Sequence, residues 1–165
     1  AAGDMDKIKK MVQLGYEMLL ELYSFNRPII AGVSGHSIAL GLFVTCCADY
    51  RIAKAGQYIC QANEVRNNMD IPVQIMEILK ARVNKKHFYK AAYHSDPYSM
   101  EDSIEVGYID EVVSQDNFEN RVIEKAIELS DLPHPFYRNT KHFAQGDVMK
   151  KISDAIEKYK ELTSP

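Results

Sequence analysis

Residues 27–53 read RPIIAGVSGHSIALGLFVTCCADYRIA, and this stretch decides the fold. A proline-led apolar run, Pro28 to Val33, stops at Ser34-Gly35. Small and apolar residues then continue to Ala48, and Asp49-Tyr50-Arg51-Ile52 opens a second extended run. Short buried strand, glycine turn, buried helix and strand is the pattern of an α/β layer. The turn carries the functional weight. Where a helix starts directly after a strand, its first backbone amides have no partner within the helix. They can face a developing negative charge, with the helix dipole behind them.

Upstream of this stretch, Ile8, Met11, Val12, Gly15, Leu19, Leu22 and Tyr23 recur at helical spacing and predict an amphipathic helix over 5–25. The stretch itself predicts a strand over 28–33, a helix over 39–47, a strand over 49–54 and an extended piece over 57–61. Pro72 suits the first turn of a helix carrying Ile75, Ile78 and Leu79 to Val83. Asn84 caps a further helix with Phe88, Ala91 and Ala92 on its buried side. Ser99 and Asp102 approach a capping box for a helix ending at Gly107. Ile109 to Val113 is a short strand, and helices over 117–130 and 147–162 follow, parted by Pro133-His134-Pro135. Neither a repeat nor a linker interrupts the pattern. The expectation is one domain over 1–165, with an α/β core to about residue 114 and helices over 115–165.

Composition bounds the function. The chain of 165 residues is long enough for a real core, with 46% hydrophobic and 26% charged residues. A net charge of −3 gives nucleic-acid binding no electrostatic support. No apolar run reaches the roughly 18 residues needed to span a bilayer. The opening AAGDMDKIKK is polar, unlike a signal peptide, and the closing LTSP is not a peroxisomal address. Cys46, Cys47 and Cys60 show no ligand or redox spacing and read as small core residues in a reducing compartment, so a cytoplasmic location is expected. The five histidines, His36, His87, His94, His134 and His142, have no metal-ligand spacing, and no metal is expected.

The stretch around the turn resembles the crotonase superfamily, the enoyl-CoA hydratases and isomerases. The resemblance rests on Arg27-Pro28, Gly35-His36-Ser37-Ile38-Ala39-Leu40-Gly41 and Ala48-Asp49. It continues through Asn63-Glu64-Val65, Met69-Asp70-Ile71-Pro72 and the run Ser99 to Val113, covering most of 27–114. It implies an α/β crotonase-like fold, a superhelical ββα core followed by helices. Members of the family place several strands ahead of the point where this chain opens. A strand over 28–33 would then lie beside an unpaired neighbour position. Ala1-Ala2-Gly3-Asp4 loosely resembles the turn that supplies the family's first oxyanion amide, here the amide of Ala2 with Gly3 beside the substrate.

The resemblance also implies chemistry: stabilisation of a thioester enolate by two backbone amides while an acid or base moves a proton at the neighbouring carbons. Fixed donors of this kind are worth about 3–4 kcal/mol each. The second amide falls on Leu40, where the family pattern has glycine. Phe43 stands where hydratases carry their first glutamate, and a phenyl ring cannot activate water. Asn63-Glu64 is similar to the form seen in the Δ3,Δ2-enoyl-CoA isomerases, which work with one glutamate. Glu64 is therefore the expected acid/base, its pKa raised by burial. Gly35, His36, Gly41, Phe43 and Asn68 complete the expected substrate contacts. Asn68 replaces a family glycine but tolerates left-handed backbone. Coenzyme A enters only as part of an acyl-CoA thioester, and a homotrimer or hexamer is the expected assembly.

Two rival readings stay open at this level. Gly35-His36-Ser37-Ile38-Ala39 comes near a nucleophile elbow, with Ser37 attacking an ester and Asp110 plus His134 or His142 as partners. The departures at Leu40, Phe43 and Asn68 also fit a non-catalytic homologue that acts by assembly or CoA-ester binding.

Overall fold

The computed structural model describes residues 2–163, with side chains from Asp4 onward. Ala1 lies outside the described residues. The first helix, α1 (Ala2–Ser24), takes in Ala2, Gly3 and Asp4, so helix stands where a turn was expected. One face of α1 buries Leu19 and Tyr23, but Ile8 and Met11 are exposed together with Met5, Leu14 and Met18. Helical spacing found the helix and misassigned part of its buried face.

The deciding stretch folds as β1 (Ile30–Val33), β2 (Ser37–Ile38), α2 (Leu40–Cys47) and β3 (Tyr50–Lys54). The strand β2 occupies residues taken for a turn. β4 (Ile59–Gln61) leads into a turn of 3-10 helix over Val65–Asn67, and α3 (Val73–Arg82) starts behind Pro72 as its spacing predicts. After Asn84 the backbone makes turns and then a π-helical turn, Tyr89–Tyr93, in place of the expected regular helix. Ala91 and Ala92 are nevertheless fully buried, so the apolar spacing served packing. The remaining elements are β5 (Tyr98–Ser99), α4 (Asp102–Val106), β6 (Glu111–Val113), α5 (Phe118–Ser130) and α6 (Phe136–Thr163). α6 starts eleven residues earlier than 147 because Pro135 sits just ahead of its first turn, a favourable place for proline. Gly146 costs it too little to break 28 residues packed on α1 and α3.

Two three-stranded sheets result. One is parallel, in the order β1-β3-β6, and the other joins β2, β4 and β5, with β2–β4 parallel and β4–β5 antiparallel. α5 covers the parallel sheet so closely that a Cβ on Gly32 of β1 would lie 3.2 Å from both Phe118 and Val122. A single apolar cluster runs from Leu19 and Tyr23 of α1 through Leu42, Phe43, Cys46 and Cys47 of α2 and Ile78 and Leu79 of α3 to Ile152 and Ile156 of α6. The three cysteines are free and buried inside it, as expected of small core residues. Burial pushes the thiol of Cys46 up to about 11 and that of Cys47 to about 12.

Buried charges tie the layers. Arg51 on β3 bonds Asp110 twice, Nε to Oδ2 and Nη2 to Oδ1, both at 2.8 Å, and gives Nη1 to the Gly107 carbonyl at 2.6 Å. Lys141 of α6 places Nζ 2.9 Å from both oxygens of Asp49, which also accepts the Ile29 amide at 2.9 Å. Among the described residues no helix is long and apolar enough to cross a membrane.

Candidate active site

The helix start that opens the site is set by Ala39. Its backbone sits at φ 51, ψ −127, and its amide donates to the Gln61 carbonyl at 3.0 Å. The first intrahelical bond of α2 is Phe43 N to the Ala39 carbonyl at 3.1 Å. The amides of Leu40, Gly41 and Leu42 precede it and form the donor end of the helix. The Leu40 side chain is 50% exposed, so it stands clear of the core. Ala2 and Gly3 open α1.

Gly35, His36 and Gly41 line a cleft of about 460 Å³ between the end of β1 and α2, together with Ser34, Ser37 and Val44. Leu40 and Glu64 are not among its walls. His36 is turned toward the second sheet, its Nδ1 accepting the Ile59 amide at 3.2 Å and its ring edge-on to Tyr58. Phe43 is 2% exposed and belongs to the core, so its ring packs rather than opening to solvent.

Glu64 follows β4 at the head of the 3-10 turn and is only 6% exposed. Its carbonyl accepts the amides of Asn67 and Met69, fixing the loop. Its Oε2 is buried and makes no hydrogen bond. Desolvation raises the carboxyl pKa, opposed only in part by its own backbone amide. Burial without a cation favours the protonated form of such an acid. Asn68 closes the turn at φ 58, ψ 35, the left-handed backbone that asparagine tolerates. Arg66 then bolts the loop outward, Nε to the His94 carbonyl at 3.0 Å and Nη2 to Asp96 at 2.9 Å.

The structure does not assemble the hydrolase triad. Ser37 lies in a strand, 3% exposed, with its hydroxyl 3.1 Å from that of Thr45. Asp110 is engaged by Arg51, and His142 contacts Asn26 at 3.1 Å. Among the described residues no group of three or more His, Cys, Asp or Glu is arranged to hold a metal ion. Sequence reasoning passed over Tyr108, whose buried hydroxyl makes no hydrogen bond and has Glu64 within electrostatic reach. The phenol in the otherwise apolar run Val106-Gly107-Tyr108-Ile109 was the one available signal.

A helix start is thus joined by one backbone bond to the end of β4, and the buried Glu64 follows three residues later. Residues 2–164 match the enoyl-CoA hydratase/isomerase family, and the chain belongs to that family. It is 24% identical over 143 residues to the mouse mitochondrial enoyl-CoA delta isomerase 1, covering 84% of this chain and 50% of that protein. The chain thus spans half the length of this curated relative. The structure of EchA3, an enoyl-CoA hydratase from Mycobacterium ulcerans, is 31% identical, with TM-score 0.88 over 93% of this chain and 67% of that one. The apo structure of an enoyl-CoA isomerase from Mycobacterium tuberculosis is 30% identical, with TM-score 0.87 over 92% and 67%. The fold is that of the crotonases. Relatives of nearly equal likeness carry both names, hydratase and isomerase.

Proposed function

We propose that the chain handles acyl-CoA thioesters and shifts a carbon–carbon double bond through an enolate, with Glu64 as the single acid/base. The observation that carries this reading is the Glu64 carboxyl group, buried and without a cation, with a phenylalanine at position 43 in place of a second acid. The carboxylate takes a proton from C2 of a 3-enoyl thioester, and the electron pair passes to the thioester oxygen. The amide of Leu40 donates to that oxygen, with the amide of Ala2 as its partner. The enolate then collapses, the double bond moves to C2–C3, and Glu64 returns the proton at C4. Gly35, His36, Gly41 and Asn68 shape the approach of the thioester. A trimer or hexamer of such chains in a soluble compartment is the setting this reading implies.

Turnover of a 3-enoyl-CoA and of a 2-enoyl-CoA, by wild type and by Glu64→Gln, tests it. Isomerisation of the first substrate, lost by about 10²–10⁴-fold in the variant, is the expected result. Hydration of the second substrate would mean that water is activated without a glutamate at 43. Binding of a CoA ester with no turnover would favour the second reading, a non-catalytic homologue. The exposed apolar row Met5, Ile8, Met11, Leu14 and Met18 on α1 is the feature that speaks for assembly.

A further inference from the structure

The turn that carries Glu64 is fastened at two places to one short segment. Ahead of Glu64, Gln61 at the end of β4 donates Nε2 to the Ser95 carbonyl at 2.8 Å. Behind it, Arg66 donates Nε to the His94 carbonyl at 3.0 Å and Nη2 to Asp96 Oδ1 at 2.9 Å. Residues 94–96 thus hold the chain on both sides of Glu64. The segment is itself firm. The His94 amide donates to the Tyr89 carbonyl and the Asp96 amide to the Lys90 carbonyl, both at 3.0 Å, across the π-helical turn. Ser95 between them is fully buried at φ 51, a backbone that a non-glycine residue keeps only when its surroundings impose it.

The turn after Glu64 has little else to hold it. Residues 65–70 are all exposed, so no buried side chain there anchors the backbone. The 3-10 helix over Val65–Asn67 is short, and its kind has poor hydrogen-bond geometry. Among the described residues, Arg66 is the one member of 65–70 whose side chain makes a hydrogen bond or ion pair. The Glu64 carbonyl accepts the amides of Asn67 at 2.8 Å and Met69 at 3.0 Å, so a turn that swings at Arg66 carries Glu64 with it. We propose that Arg66 is a positioning residue for Glu64, its two-pronged grip on His94 and Asp96 holding the turn against the firm segment. This rests on the reading of Glu64 as the acid/base. A shift of about 1 Å in a reacting group can cost about 10²-fold in rate, whereas an exposed ion pair adds little to global stability. The Arg66 and Asp96 side chains are 54% and 36% exposed, so the grip steers the turn without contributing much to the fold.

Arg66→Gln and Asp96→Asn test this, with two measurements on each: steady-state turnover of a 3-enoyl-CoA, and NMR hydrogen exchange of the Asn67 and Met69 amides. Arg66→Gln should lower kcat about tenfold with KM within about twofold of wild type, the split expected of a group that acts on the transition state. Asp96→Asn leaves the bond to the His94 carbonyl and should lose about threefold. The double variant should lose no more than Arg66→Gln alone. Both amides should exchange about tenfold faster in Arg66→Gln. Lys86→Gln breaks a 2.8 Å ion pair with Glu105 elsewhere on the surface and should move neither reading, and equal losses there would overturn the proposal. Unchanged exchange overturns the tether, and faster exchange with unchanged kcat overturns its role in positioning Glu64. Should Arg66→Gln fail to fold, Asp96→Asn is read by the same two measurements. The exchange experiment needs no turnover. A wild type that isomerises nothing would sink the acid/base reading, while faster exchange in Arg66→Gln would still uphold the tether.

Discussion

Ala39 gives its amide to the Gln61 carbonyl at 3.0 Å, and this bond fastens the start of α2 to the last residue of β4, three residues ahead of Glu64. The first helix amide, that of Leu40, lies one residue from this bond on one side, and Glu64 lies three residues from it on the other. Holding that bond puts Ala39 at φ 51, ψ −127, where a Cβ is strained.

Strain at such a position costs about 1–3 kcal/mol, against about 0.4–1 kcal/mol for the extra unfolded-state freedom of glycine. Ala39→Gly should therefore stabilise the protein by roughly 1 kcal/mol, read as a higher urea midpoint with unchanged slope. Ala39→Val should lower the midpoint. A destabilised glycine variant would mean that the turn is not strained.

Glu64 ionises less readily in the folded protein than in the unfolded chain, because burial raises its pKa above the ordinary 4.5. The unfolded chain thus releases this proton first. As pH rises from below 4.5 through the folded pKa, this group costs the native state stability. Glu64→Gln removes that cost, so the variant should gain on wild type as pH rises above 4.5, measured by denaturant unfolding at each pH. In activity, the base must start ionised, so the acid limb of kcat/KM should fall above pH 4.5.

Gly107 ends α4 at φ 91, and a Cβ there would lie 2.5 Å from the Arg82 carbonyl oxygen. Gly107→Ala combines left-handed strain with a backbone collision and should cost at least about 2 kcal/mol. Thermal unfolding checks it. A loss under half of that would show that the α3–α4 contact yields.

Lys141 is the partner of a nearly buried Asp49, with side chains 3% and 13% exposed. Lys141→Met strands the carboxylate and should cost about 3–5 kcal/mol. The double variant Lys141→Met, Asp49→Asn should recover part of that, and simple additivity of the two single losses would rule out the coupling.

Legibility in the sequence followed the range of the forces. The parallel strands and α2 were readable because buried α/β elements write continuous apolar runs around Ile30–Val33 and Leu40–Cys47. The capping of α4 was readable because Ser99 accepts the Asp102 amide from three residues away, at 3.0 Å. The early start of α6 and the exposure of Ile8 and Met11 depend on which distant surface each helix meets, and spacing carries no such information. At the site, the motif led to Glu64, while the burial that raises its pKa is a property of the folded chain that no local spacing encodes. The cleft by Gly35 and Gly41 without Glu64 among its walls was not foreseeable from order along the chain.

The order β1-β3-β6 leaves β1 at a margin, laddered only to β3 among the described residues. Beside that margin run Ile30 and Ile123 on one side and Val44 on the other. In the test tube this bare rim is a template: any extended oily peptide that drifts against it can be copied into register. Concentrated samples should therefore clump before they unfold, and a short lysine-flanked peptide matched to the rim should keep them clear.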